Sequence, residues 1–120
     1  MDRKSSRDLG ASGENRAAAF LVEREFNIIG RNFRWGKTGE IDIIARKESL
    51  LIFVEVKSRL SEKFGGALYS ISGKKKKSLK TAAKAFLSLN PEYDRPEYTC
   101  RFDLISIEDD AIQWVEDMFR

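Results

Sequence analysis

Histidine is missing from this chain and cysteine nearly so: 120 residues hold none of the first and a single Cys100. The first absence excludes Ser-His and Cys-His nucleophilic catalysis, and any nuclease that depends on a histidine base. Together the two absences exclude the usual zinc sites. Any metal must therefore be held by oxygen, which points to Mg²⁺ or Mn²⁺. A lone cysteine closes no internal disulfide, and Cys100 is expected as a small buried apolar residue in a reducing cytosol. Long apolar runs are absent too. The longest, Ala17 to Val22, is six residues, against the roughly 20 that a membrane span needs. Met1 to Leu9 is polar, with mixed charge and no apolar centre of a signal peptide. The expectation is a cytoplasmic protein with no membrane partner.

What remains is 42% hydrophobic and 34% charged, the balance of a soluble globular chain long enough for one core and too short for two. Residues 1–11 read as a mobile tail and 12–120 as one domain. The formal net charge of +3 is only mildly basic, so the placement of charge matters more than its sum.

The stretch from Gly39 to Ser58 organises the rest. Two apolar, β-branched runs flank a polar break at Arg46–Ser49 and read as a hairpin. Ile41, Ile43, Ile44 and Ala45 in one run, and Leu50 to Val54 in the other, are apolar on both faces, as in a strand covered on both sides. The exception is at one end. Glu40 and Asp42 share a face by strand alternation, as do Glu55 and Lys57. A turn centred between Glu48 and Ser49 sets Asp42 opposite Glu55; a turn one residue earlier sets Glu40 there. Either register brings two carboxylates within roughly 5 Å at Cβ. Adjacent like charges need a compensating proton or cation, and a divalent metal is the obvious one. The plainer reading is a surface ion-pair cluster at a strand end.

Ahead of the hairpin, Ser12 is a plausible N-cap for a helix to about Phe26, with Ala17, Ala18, Leu21 and Val22 as its apolar stripe. Glu14 falls on that stripe, either as an acid complementing the helix dipole in the first turn or as a third carboxylate aimed into the site. Asn27 to Trp35 reads as a strand interrupted at Gly30, and 36–39 as a turn. Arg59 to Gly66 reads as a loop. A helix follows from Ser72 to Leu89, its buried face formed by Leu79, Ala82, Ala83, Phe86 and Leu89, with Asn90-Pro91 ending it. Tyr98 to Ile107 alternates as a strand, Asp109-Asp110 turns, and Ala111 to Val115 is a short strand or helical turn with Trp114 on the core. Helices interleaved with strands give an α/β sandwich around a mixed sheet, the second helix crossing over to the late strand.

That second helix opens on Lys74, Lys75, Lys76 and Lys77 and continues with Lys80 and Lys84. Cations in a first turn oppose the helix dipole and repel one another. A solvated lysine face is the plain reading. The functional one is a phosphate-binding flank of Lys74, Lys77, Lys80 and Lys84, helped by Arg34, Lys37 and Arg59.

The constellation of Glu14, Gly39-Glu40-Ile41-Asp42 and Phe53-Val54-Glu55-Val56-Lys57 resembles the PD-(D/E)XK, or restriction-endonuclease-like, nuclease superfamily. Gly13-Glu14, Phe64-Gly65-Gly66 and Cys100-Arg101-Phe102-Asp103 extend the resemblance to the bacterial YraN-like family assigned to it. The resemblance implies a three-layer α/β/α core with a central mixed four-stranded sheet. It implies a nuclease acting on DNA, ahead of RNA, with branched or single-stranded substrates among those expected. Asp42 and Glu55 would be metal-binding carboxylates, with the Val56 carbonyl and Glu14 as further ligands to Mg²⁺ or Mn²⁺. Lys57 would be the positively charged partner of the attacking water, and Glu14 the auxiliary acid of resolvase-like members. Ile41 stands where many members have proline, and Tyr69 and Ser70 where some carry a helix acid or amide. Paired symmetric cuts would require a homodimer, for which no interface is legible. The competing expectation is a non-catalytic nucleic-acid-binding module or an assembly partner in DNA processing.

Overall fold

The computed structural model describes residues 6–37, 39–59, 71–109 and 111–120, with the side chains of residues 6–11 and Arg59 outside that description. In chain order the elements are a helix α1 (Ser6–Glu23), strands β1 (Asn27–Trp35), β2 (Gly39–Lys47) and β3 (Leu50–Arg59), and a helix α2 (Gly73–Leu89). A 3₁₀ turn (Pro91–Tyr93) leads to β4 (Thr99–Glu108) and β5 (Ala111–Phe119). The strands form one five-stranded sheet in sequence order. β3 and β4 run parallel across the α2 crossover, and the other pairs are antiparallel.

The β-branched runs of the hairpin become the two strands with both faces covered. Ile43, Ala45, Ile52 and Val54 pack with Ala17 and Leu21 of α1, while Ile44, Leu51 and Phe53 pack with Leu79, Ala82 and Phe86 of α2. The sheet is thus the middle of three layers, as period-two alternation in a doubly covered strand requires. Ser72 caps α2 by accepting the Lys75 N–H on its hydroxyl at 3.1 Å, and Asn90 closes it with N–H bonds to Phe86 and Leu87 carbonyls. Phe86 meets Phe33 and Phe53 edge-on, at 5.5 and 6.1 Å between ring centroids.

Several expectations are corrected. The sheet has five strands rather than four, because β5 runs on to Phe119. Its period-two signal fades at a bulge: Phe102 faces Phe119 while Leu104 faces Val115, and Asp117 sits at φ 53°. α1 begins at Ser6, not at a Ser12 cap, and ends at Glu23 rather than Phe26, so residues 6–11 of the expected tail are helical. Val22 and Leu89, assigned to buried faces, are 55% and 61% exposed: Val22 lies one position past Leu21, and Leu89, though in phase with Phe86, is the last residue of α2. Cys100 is exposed, at the start of β4 before the sheet is covered. Arg59 ends β3 rather than opening a loop, and the rest of that loop, with Phe64-Gly65-Gly66, Tyr69 and Ser70, lies outside the described residues.

β5 is held by a buried polar knot. Asp103 is fully buried and accepts Arg101 Nε and Nη2 at 2.8 Å, Trp114 Nε1 at 2.9 Å and the Asp117 N–H at 2.9 Å. Each acceptor lone pair is thereby engaged, and the bulge is bonded rather than loose. Asp103→Ala leaves the Arg101 guanidinium with Glu116, 3.1 Å away, as its remaining carboxylate, and strips the Trp114 and Asp117 donors of their acceptor. It should cost about 3 kcal/mol in urea unfolding, and a cost below about 1 kcal/mol would show that the knot is dispensable.

Candidate functional site

The β2–β3 ladder runs from Lys47 opposite Leu50 to Ile43 opposite Val54 and stops. β2 stays paired with β1 down to Gly39, and β3 stays paired with β4 up to Arg59. The sheet therefore forks at Asp42. The turn lies between Glu48 and Ser49, so of the two registers open to the sequence, the one that aligns Asp42 with Glu55 is adopted. Strict alternation fails here as well. Ile41 belongs to the cluster under α2 and Ile43 to that under α1, so the faces switch once, across Asp42. In place of a ladder bond, the Asp42 carboxylate accepts the Val56 N–H at 2.8 Å and bridges the two prongs.

Around this crotch the chain gathers charge of one sign. Glu55 is only 7% exposed. Burial, the neighbouring Glu55 carboxylate, and then Glu14 and Glu40 push the Asp42 carboxyl up to about 7, against the Val56 N–H bond that favours its ionised form. Glu14 arrives from the opposite layer. It stands about two turns into α1, so its dipole role at a first turn is overturned by the earlier helix start. Gly13 permits its approach: a β-carbon there would collide with the Ser58 hydroxyl at the end of β3. Arg31 of β1 holds Glu14 at 3.4 Å.

Compensation inside the chain is partial. Lys75 of α2 places its ammonium 3.3 Å from Glu55 Oε2. Lys57 shares the Glu55 face by alternation, and among the described residues its ammonium makes no hydrogen bond or ion pair. Beside it in register lies Ser106, 2% exposed, whose hydroxyl has no partner among the described residues. Lys75 and Ser106 were missed in the sequence. Lys75 is hidden in a lysine run whose phase only the helix cap sets, and Ser106 looks like any polar residue of an alternating strand.

Oxygen is the only donor type here, and acid concentrated enough to raise one carboxyl by this much suits a hard divalent ion. Asp42 and Glu55 each keep an oxygen not used by Val56 N–H or Lys75. Among the described residues no three acidic side chains converge on one point; Asp42 and Glu55 are the pair brought to the fork, and Glu14 is held by Arg31.

The basic residues divide. Lys37, Lys74 and Lys77 line one cleft with Trp35. Arg34 is paired with Glu40 at 3.2 Å, and Lys80 donates to the Arg120 carbonyl at 2.9 Å; neither lines that cleft. Lys84 is exposed farther along α2 and does not line the cleft, and the Arg59 side chain lies outside the description. No helix of the described residues is long and apolar enough to cross a membrane.

The chain matches known proteins across nearly its whole length. Residues 13–107 match the family described as Uncharacterised protein family UPF0102. A UPF0102 protein of Shewanella loihica is 41% identical over 110 residues, covering 92% of both chains. One from Francisella tularensis subsp. novicida is 38% identical over 112 residues, covering 93% of this chain and 94% of its own. One from Alcanivorax borkumensis is 37% identical over 122 residues, covering 97% and 94%.

The raised Asp42 carboxyl gives a signed expectation. Folding takes up a proton between about pH 4 and 7, so this group's contribution is full below its unfolded value of 3.8 and is lost as pH rises through about 7. Asp42→Asn should match the wild type near pH 4 and become the more stable protein by pH 8, by about 1.4 kcal/mol for each unit of elevation. Denaturant melts at both pH values check this, and a constant difference would mean that Asp42 is not crowded by acids.

Proposed function

Because the chain belongs to the UPF0102 family, whose description carries no activity, its function has to come from the site, and we propose a divalent-metal-dependent nuclease of the PD-(D/E)XK kind acting on DNA. The observation that supports this reading most is the fork. Asp42 and Glu55 meet where two paired strands part, with Lys57 on the same face and a lysine-lined cleft alongside. Phosphodiester hydrolysis needs water delivered in line with the leaving oxygen and relief of the charge that builds on phosphorus.

Asp42, Glu55 and backbone oxygen at Val56 are the residues that would hold Mg²⁺ or Mn²⁺. Such an ion, when bound, supplies a Lewis acid for a phosphate oxygen and acidifies water. The chain's own groups do the remainder. The Val56 N–H fixes the Asp42 carboxylate in the crotch, so its free oxygen is preorganised. Lys57 directs a cation toward the scissile phosphate, orienting water and stabilising the extra negative charge of the transition state. Lys75 neutralises Glu55 while the site awaits its substrate. Arg31 holds Glu14 beside the fork without committing it to the ligand set.

Two measurements test this. In a cleavage panel of labelled junctions, flaps, single strands, duplexes and RNA, cutting should require Mg²⁺ or Mn²⁺ and fail in EDTA. Asp42→Asn and Lys57→Ala should each lose roughly a hundredfold or more of the rate while keeping nucleic-acid affinity. Normal cutting by Lys57→Ala would remove Lys57 from the reaction, and binding without cutting, equal in Glu55→Ala, would make the protein a binding module. Separately, Mn²⁺ should raise the melting temperature of the wild type at pH 8 and not that of Asp42→Asn. An equal rise in both would place the ion elsewhere.

A further inference from the structure

The lysine-lined cleft contains a feature that phosphate binding leaves unexplained. Trp35, the last residue of β1, is 48% exposed, one of three large apolar side chains left open among the described residues. The other tryptophan is fully employed: Trp114 meets Phe20 and Phe26 edge-on and bonds Asp103 through its indole N–H. Among the described residues Trp35 makes no ring contact or indole hydrogen bond of that kind. It stands at the wall of a cleft of about 520 Å³, with Lys37, Gly39, Lys74, Lys77 and Thr81 around it.

The cleft is built rather than incidental. Gly39 lies so close to its surroundings that a β-carbon would sit 2.7 Å from the Trp35 carbonyl oxygen and 3.4 Å from Ala82. The absence of a side chain there lets the β1–β2 turn approach α2 and defines the cleft between them. Gly36, at φ 70°, makes the turn after β1 and lines the cleft as well. Lys74 and Lys77 are one helical turn apart at the positive end of α2, and the first turn of that helix has no acid to offset them. For the isolated protein this arrangement is costly. An anion seated among the three lysines removes the cost.

We propose that this cleft is a subsite for one unpaired nucleotide, with the Trp35 indole stacking on its base and Lys37, Lys74 and Lys77 holding the flanking phosphates. The inference rests on the nucleic-acid part of the function proposed above, but not on cleavage. Charge selects the ligand class: among the described residues no acid lines the cleft, so a polyanion fits and a basic peptide does not. The aromatic face selects within it, because bases in a duplex are stacked on one another and offer no face to an indole at a cleft wall. The volume suits one small planar group with its sugar. Continuity with the carboxylates is supplied by α2 itself. Lys74 faces the cleft while the next residue, Lys75, reaches Glu55, so a strand anchored at Trp35 passes onward to the fork. The substrate is thereby a strand with at least one unstacked base.

Binding measured in EDTA isolates the question from turnover. The probes are a fluorescein-labelled oligothymidine, its oligouridine counterpart and a labelled duplex, followed by anisotropy. Trp35→Ala should weaken single-strand binding about tenfold, Trp35→Phe should restore most of it, and duplex binding should barely move. The Lys74→Ala, Lys77→Ala pair should weaken both and flatten the salt dependence. Indole emission of the unsubstituted protein should be quenched by the single strand and not by the duplex, which gives the answer without relying on a variant's folding. Loss that is equal for strand and duplex, unchanged binding by Trp35→Ala, or no binding by the wild type overturns the proposal. Failure of the nuclease reading shows differently, as Trp35-dependent binding with no cutting in any metal. The DNA and RNA arms decide which strand is preferred.

Discussion

The hydrogen bond from the Val56 N–H to the Asp42 carboxylate is the point on which the site depends. A sheet that splits must leave backbone donors without a ladder partner, and an unpaired buried donor is expensive. Here the side chain of one prong satisfies the backbone of the other. The fork is stabilised, and a carboxylate is left in a crotch where no ladder bond competes for it. Everything else of chemical interest is placed relative to that bond: Glu55 beside it, Glu14 above one face, Lys75 above the other.

Delivery from both layers follows from packing. α1 brings Glu14 in because its sheet-facing side is pinned by Ala17 and Leu21, and because Gly13 lets the helix touch the end of β3. α2 brings in Lys75 because Leu79, Ala82 and Phe86 fix the helix's rotation while Ser72 fixes where it begins. With those two constraints set, Lys75 has little choice but to face the acids, and Lys74 and Lys77 the cleft. Local propensity, capping and core pattern agree, and the charged residues ride on that agreement.

Legibility in the sequence tracked periodicity. β1 to β4 and α2 were readable because Ile43 to Ala45, Leu50 to Val54 and Leu79 to Phe86 repeat with the period of their element. The pairing of Asp42 with Glu55 was readable as one of two registers, since a hairpin turn leaves few choices. The break in alternation at Asp42 was not, because a side chain replacing a ladder bond has no sequence pattern. β5 was half readable: Ile112 and Trp114 alternate, but the bulge at Asp117 moves Met118 and Phe119 to the other cluster. The split of the lysines among cleft, acid and C-terminus was equally hidden, since equal spacing on a helix says nothing of what each flank meets.

β1 carries a bulge at Ile29 as β5 does near Asp117, and the pair has a bearing on how copies of this chain meet one another. β1 and β5 are the outermost strands, and in each the extra residues lie on the outer strand: Ile29 against β2, and the turn at Asp117 against β4. An edge strand of even pleat is a template for another edge, whereas a kinked one offers its donors and acceptors out of step. Arg31 and Arg34 on β1, and Glu116 and Asp117 on β5, add charge along both margins. Kinked and charged margins of this kind are poor templates for the strands of a neighbouring copy.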